Sequence, residues 1–431
     1  MTAEIAILNK RGVVLAADSA ATFSTTGATK IKPTAEKIFA LSATRPIGVM
    51  IFGSAEFIGF PWDLLIKSYR DEDLKQRTFG TLEEYSSDFQ RYLASRTDLF
   101  SNDVQQNYIM TVFYNCFVSL IKTLVEPGIK RTIRNKGRAT PRDVRAVLSA
   151  AIERSKLDFG KKSYRAGYNK RIERQLEASL SAEIDKTISA AFAKLPLSQV
   201  DQKNLRKIAT MAVTRESLFP ENYSGIVFAG YGEAEYFPHL VYQRFFGIFQ
   251  NGLRIQEIAK REVTLESGAL VVPFAQGDMI STVMEGVDPG YQKAIENDIG
   301  SVIDIIVGET IAHVDGIAGL APNQKQLTND FATDLGKKAK SAFSGKLEEY
   351  RRKNFVSPIV SIVKSLDKAD LAEMALTLVN LTSFKRRVST DEETVGGPVD
   401  VAIISKNDGF VWKERKLYFD SSLNPRHMAR Y

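Results

Sequence analysis

Three residue types close together at the start of the chain could carry out acyl transfer. Thr2 bears a hydroxyl, a weak nucleophile until a base removes its proton. At a free N-terminus that base can be the residue's own α-amine, whose unperturbed pKa is about 7.7–8.0. A lysine ammonium nearby keeps such an amine neutral by like-charge repulsion, and an aspartate in turn holds the lysine. Asp18 and Lys37 are the candidates for these two roles, with Lys30 and Lys32 as alternative amines. Met1 is followed by a small residue, so ordinary loss of the initiator methionine would expose Thr2 without a cleaved propeptide.

The elements that must position these groups read as strands. Residues 3–8 are apolar except for Glu4, and residues 13–17 are apolar throughout. Between them, Asn9-Lys10-Arg11-Gly12 is a turn signal in which glycine supplies positive φ. With the turn centred between Lys10 and Arg11, paired residues have numbers that sum to about 21. Thr2 then faces Ser19 and lies beside Asp18, so strand pairing alone sets a potential mature N-terminus against a carboxylate. Lys37 opens the next strand-like run, residues 38–41.

In chain order, these pieces resemble the proteasome-type β-subunits, a group of the N-terminal nucleophile hydrolases that includes the bacterial two-ring protease subunit. The resemblance lies in Thr2, the G-V-V-L-A-A-D-S-A-A-T run ending at Thr22, Lys37-Ile38, and I-F-G-S-A-E-F at 51–57. It continues in G-I-V-F-A-G-Y at 225–231 and in V-G-G-P-V-D-V-A-I-I-S-K-N-D-G at 395–409. Carried over position by position, it implies Thr2 as nucleophile and base, Asp18 and Lys37 as its charge partners, and the Gly53 N–H as oxyanion donor. Two surrounding positions depart from the family. Aligned on Gly277, the usual serine is Gln276; aligned on Gly396-Gly397, the usual aspartate and serine are Glu392 and Val395.

The resemblance implies an α+β fold, a four-layer αββα sandwich of the N-terminal nucleophile hydrolase type with helical insertions. The pattern of strands, helices, strands, helices, strands agrees with it. The core is expected in three parts, residues 1–96, 223–288 and 366–431. Helical insertions are expected at 97–222 and 289–365. Within these parts, 53–69 reads as the first helix with Pro61 near its kink or start. Thr81-Leu82-Glu83-Glu84 reads as a capping box, residues 104–125 as a buried helix, and 175–193 and 202–213 as amphipathic helices. Strands are expected at 224–231, 239–244, 246–249, 255–257, 269–272 and 399–404, and a helix at 371–384.

Composition narrows the class. Hydrophobic content of 44% suits a globular core, and net charge is +7. The single cysteine, Cys116, sits in an apolar run and reads as a core residue. No signal-peptide pattern opens the chain and its apolar runs read as too short for a membrane span, so a cytoplasmic location is expected. Glu309, His313 and Asp315 offer too few ligands for a metal. No metal or cofactor is expected. Basic residues outnumber acidic ones over 122–174, which reads first as a solvated face and otherwise as a surface for an acidic partner or, less favoured, nucleic acid. No membrane partner is expected.

The functional expectation is a threonine peptidase acting on peptide or protein substrate, homo-oligomeric as the resemblance implies, with an unfoldase or an acidic protein as the candidate partner at the basic insertion. The alternatives are a non-catalytic scaffold that binds a partner through its insertions, and an amidase acting on a non-peptide substrate.

Overall fold

A computed structural model describes residues 3–25, 28–32, 34–250, 252–389, 396–417 and 419–425, with backbone alone over 21–32. Its strands are β1 (Ala3–Asn9), β2 (Gly12–Asp18), β3 (Ala21–Thr25), β4 (Ala28–Lys32), β5 (Ile38–Ala40), β6 (Ile47–Gly53), β7 (Glu56–Phe57), β8 (Phe60–Pro61), β9 (Ser224–Gly230), β10 (His239–Phe249), β11 (Gly252–Glu262), β12 (Ala269–Ala275), β13 (Val399–Ser405) and β14 (Gly409–Glu414). Its helices are α1 (Trp62–Ser68), α2 (Leu82–Ser95), α3 (Asn102–Leu120), α4 (Glu126–Lys136), α5 (Pro141–Gly160), α6 (Lys170–Ser179), α7 (Ser181–Ala191), α8 (Gln199–Thr214), α9 (Asp278–Glu285), α10 (Pro289–Gly316), α11 (Pro322–Arg351), α12 (Ser357–Val363) and α13 (Lys368–Val388). The protein is α+β.

The chain forms two compact units, each assembled from separated segments. The first comprises Met1–Ile38, Tyr236–Pro238 and Glu262–Tyr431. Its sheet runs β12-β1-β2-β13-β14, with every neighbouring pair antiparallel. Every residue of β1 and β2 is buried, which is why both read as apolar runs rather than as alternating strands. Helix α13 covers one face, with Leu371, Ala375 and Val379 against Ile5, Ile7, Val14 and Val401. The Asn9 side chain donates to the Val363 and Leu366 carbonyls, 2.9 Å each, satisfying acceptors left open at the end of α12. The register pairs Glu4 with Ala17 and Asn9 with Gly12, and both pairs fit the expected sum.

The second unit comprises Phe39–Glu235 and His239–Arg261. Its sheet runs β11-β10-β9-β6-β5, with β9 antiparallel to both β10 and β6. An aromatic core covers this sheet: Trp62, Tyr69 and Phe89 from the helical side meet Phe228 and Phe245. Thr81 and Glu84 cap α2 reciprocally, as the sequence suggests. Helices α3 to α8 enclose a second apolar cluster, which includes Phe113, Phe117, Leu148, Ile184 and Leu205.

Several expectations need correcting. The helix expected over 53–69 begins only at Trp62, because residues 56–61 form a small hairpin turned by Ile58 and Gly59, both at positive φ. The helix expected over 175–193 breaks at Leu180. The two strands expected over 239–249 are one strand, and β11 extends well beyond 255–257. The apolar run after residue 101 is not short. Asn102–Lys136 is one helical run, long and apolar enough by length and composition to cross a membrane. Pro127 does not end it, because it falls in the first turn of α4 after a π-helical turn at Ile121–Val125. The buried side of this run, Ile109, Phe113, Phe117 and Leu120, is part of the second unit's helical core.

Candidate active site

Sheet register builds the site. Pairing of β1 with β2 brings the start of β1 to the end of β2, and Val399 pairs with Asp18 where β13 begins. The Asp18 carboxylate therefore stands where three chain segments meet. It is fully buried. Its Oδ1 accepts from the Ala3 N–H at 3.0 Å and from Lys37 Nζ at 2.6 Å. Its Oδ2 accepts from the Gly396 N–H at 2.9 Å and the Ala20 N–H at 3.4 Å. Gly397 sits at φ +81°, a left-handed conformation that suits glycine and shapes the turn entering β13. Ser19 Oγ closes the same corner by donating to the Pro398 carbonyl.

Lys37 is 5% exposed, so this ion pair is buried. Its Nζ also lies 3.5 Å from Glu4 Oε1, and Glu4 is fully buried. Burying an ammonium is tolerated only with paired charge and hydrogen bonds, and two carboxylates provide that here. The sequence reading missed Glu4 as a partner of Lys37. The available signal was its position, the single charge in an otherwise apolar buried strand.

Of the residues singled out by sequence, the structure brings Asp18 and Lys37 together. Thr2, Glu392 and Val395 lie outside the described residues. Gly53 closes β6 in the second unit, exposed, at φ +81°. Gln276 follows Ala275, the register partner of Ala3. It is buried, and neither its amide nitrogen nor its amide oxygen has a hydrogen-bond partner among the described residues. It lines a cavity of about 170 Å³ together with Asp278, Asp288, Thr382, Lys385 and Arg386. Ala275 holds a positive φ of 54°, uncommon for a residue with a Cβ.

Glu309, His313 and Asp315 are exposed on α10, and no cluster of three or more metal-ligating side chains occurs among the described residues. Several cations of the 122–174 stretch already have carboxylate partners: Lys136 with Asp143, Lys156 with Glu153, Lys161 with Asp158 and Arg165 with Glu221. Cys116 is buried, and burial pushes its thiol pKa well up, away from reactivity.

No family model and no curated protein matches the chain. Among solved structures, the chain is similar to an Anbu mutant from Hyphomicrobium sp. strain MC1. The identity is 10% and the TM-score 0.25, and the alignment covers 100% of this chain and 93% of that one. At that level the likeness supports no statement about fold or chemistry.

Proposed function

We propose that the protein is a proteasome-like N-terminal threonine hydrolase that cleaves peptide bonds, built on a divided N-terminal nucleophile hydrolase core with two helical insertions. The observation that carries this reading is the buried Asp18 carboxylate, which receives the Ala3 N–H, the Lys37 ammonium and the Gly396 N–H together. An N–H donor one residue after Thr2 ties the start of the chain to the same carboxylate that holds the lysine.

In this reading the α-amine of Thr2, freed by loss of Met1, takes the proton of the Thr2 hydroxyl as its oxygen attacks the peptide carbonyl. The tetrahedral adduct collapses with transfer of that proton to the leaving amine, and an ester to Thr2 remains. Water, deprotonated by the same amine, then hydrolyses the ester and restores the hydroxyl. Lys37 disfavours protonation of the amine, and Asp18 holds Lys37 and the start of β1. Gly53 is the proposed oxyanion donor, with Glu392 and Gln276 as surrounding residues, on the sequence resemblance alone.

A second reading, a non-catalytic scaffold, is favoured by Gln276. A buried amide with no hydrogen-bond partner among the described residues stands at the position where the resembled family has a serine. The same experiment separates the two. Intact mass of cell-derived protein is expected to show loss of Met1. Thr2→Ala is expected to stay folded and lose turnover of a peptide library by about 10⁴–10⁶-fold, while Thr2→Ser keeps part of it. Retention of Met1, or wild-type turnover by Thr2→Ala, would leave the scaffold reading in place.

A further inference from the structure

Helices α10 and α11 form an antiparallel hairpin that packs chiefly on itself. Asp304 pairs with Lys340 at 2.6 Å, and Asn329 Nδ2 donates to Asp315 Oδ1 at 3.0 Å, which fixes the antiparallel order. The seam is tight. Ile303 and Val307 close on Gly336, where an added Cβ would come within 2.7 Å of Val307. Yet Val314 is the one buried residue of α10, and Ala332 and Gly336 are the buried residues of α11.

What the hairpin leaves in solvent is apolar. Val302, Ile305 and Ile306 on α10, and Leu327, Phe331 and Leu335 on α11, are each 54–73% exposed. The three on α11 recur every fourth residue and form one stripe. At 100° per residue, Val302 and Ile306 lie on one flank of the Ile303–Val307 seam. The α11 stripe lies on the same-handed flank of Ala332–Gly336, and in an antiparallel pair those flanks share a face. Five large apolar side chains, Val302, Ile306, Leu327, Phe331 and Leu335, therefore form one two-helix surface, a contiguous apolar patch of the kind that marks an interaction site.

We propose that this face docks on the same face of a second copy of the chain, so that two hairpins close into a four-helix bundle. Three observations favour that occupant. First, a two-fold contact needs a self-complementary patch, and a flat two-helix face of this kind is one. Second, the charges complement when α10 of one copy lies over α11 of the other. Helix α10 carries five acidic side chains and one basic, whereas α11 carries six basic and four acidic. The acidic α10 also argues against an anionic lipid surface. Third, the size fits. A 28-residue helix is about 42 Å long, and two helices packed side by side span about 20 Å. Their face thus matches the roughly 800 Å² per partner of a stable interface. This surface is independent of the Asp18 site, so the proposal stands or falls apart from the catalytic reading.

The test is the solution mass of the full chain by sedimentation and light scattering. The wild-type protein is expected as a multiple of the 48.0 kDa protomer at low micromolar concentration. Ile306→Glu combined with Phe331→Glu should halve that mass and weaken association by on the order of 10²-fold. Circular dichroism should be unchanged, because both side chains are exposed within the protomer. A milder pair, Val302→Ser with Leu335→Gln, guards against loss of folding and should shift the mass in the same direction. A wild-type monomer, or a variant of wild-type mass, overturns the proposal. So does a variant of unchanged mass that loses wild-type binding to vesicles of phosphatidylcholine and phosphatidylglycerol, which would assign the face to a membrane.

Discussion

The Gly396 N–H donates to Asp18 Oδ2 at 2.9 Å across 378 residues of sequence. This bond, with the pairing of Val399 and Asp18, ties the entrance of β13 to the end of β2. Asp18 is thus both an ion-pair partner and the acceptor that organises three backbone segments.

Asp18→Asn is therefore expected to cost about 3–5 kcal/mol. It leaves Lys37 short of a charge partner and turns an amide NH₂ toward groups that are all donors. Chemical denaturation of the variant measures this. The double variant Asp18→Asn, Lys37→Met should cost less than the two single changes added together, by about 0.5–3 kcal/mol, because the groups are in contact. Strict additivity would mean that the pair does not act as a unit.

Gly53 offers a sharper steric test, since two constraints fall on it. Its φ is +81°, and a Cβ there would stand 2.5 Å from the Tyr223 carbonyl oxygen. That neighbour is backbone of the segment entering β9, so strand pairing must shift to make room. Gly53→Ala is expected to cost about 2–5 kcal/mol, strain and overpacking combined. Gly59, at φ +94° with nothing within 4 Å, is the control. Gly59→Ala should cost only the left-handed backbone term, about 1–2 kcal/mol. Equal losses in urea midpoint would show that contact with Tyr223 is unimportant.

These residues also mark how much was legible in the chain. The β1–β2 hairpin could be read to the residue, because the short Asn9–Gly12 turn between two apolar runs sets the register of the strands it joins. The Asp18–Lys37 pair followed from that register together with the family resemblance. Glu4 did not, since a charge inside a strand has no partner in one-dimensional sequence; the lysine that meets it lies across a loop. The hairpin at Glu56–Pro61 was hidden because its residues also suit a helix N-terminus, and the positive φ values at Ile58 and Gly59 decide otherwise. The reach of the Asn102–Lys136 helix was hidden by Pro127, which sequence reading treats as a break.

Glu221 joins two buried guanidiniums in the second unit. Arg165 reaches it at 2.7 Å and Arg254 at 3.1 Å. Burial, and then the neighbouring charge of Arg254, push the pKa of Arg165 down, which is the signature of cations crowded around one carboxylate. Glu221→Gln should therefore destabilise by about 3–5 kcal/mol. Arg165→Met, which removes one of the competing cations, should cost less in the Glu221→Gln background than in the wild type. Denaturation of the four-member cycle decides this, and a coupling near zero would mean that the three groups are energetically independent.

Alkaline pH tests the buried tyrosines. Tyr231 is 3% exposed, and burial pushes its phenol pKa from 10.0 up to about 12. Below pH 10 the phenol is neutral in both states, and this contribution to stability is complete. Between pH 10 and 12 the unfolded chain releases the proton while the folded chain retains it. Stability then falls by about 1.4 kcal/mol per pH unit for this group alone, until the folded phenol also ionises. Tyr85, Tyr108 and Tyr168 are shifted the same way, chiefly by burial, and steepen the loss. Urea midpoints at pH 9, 10.5 and 11.5 should decline steeply above pH 10. Tyr231→Phe should flatten the decline by one proton's worth while changing stability at pH 9 little. A variant that declines as steeply as the wild type would show that Tyr231 is not among the groups responsible.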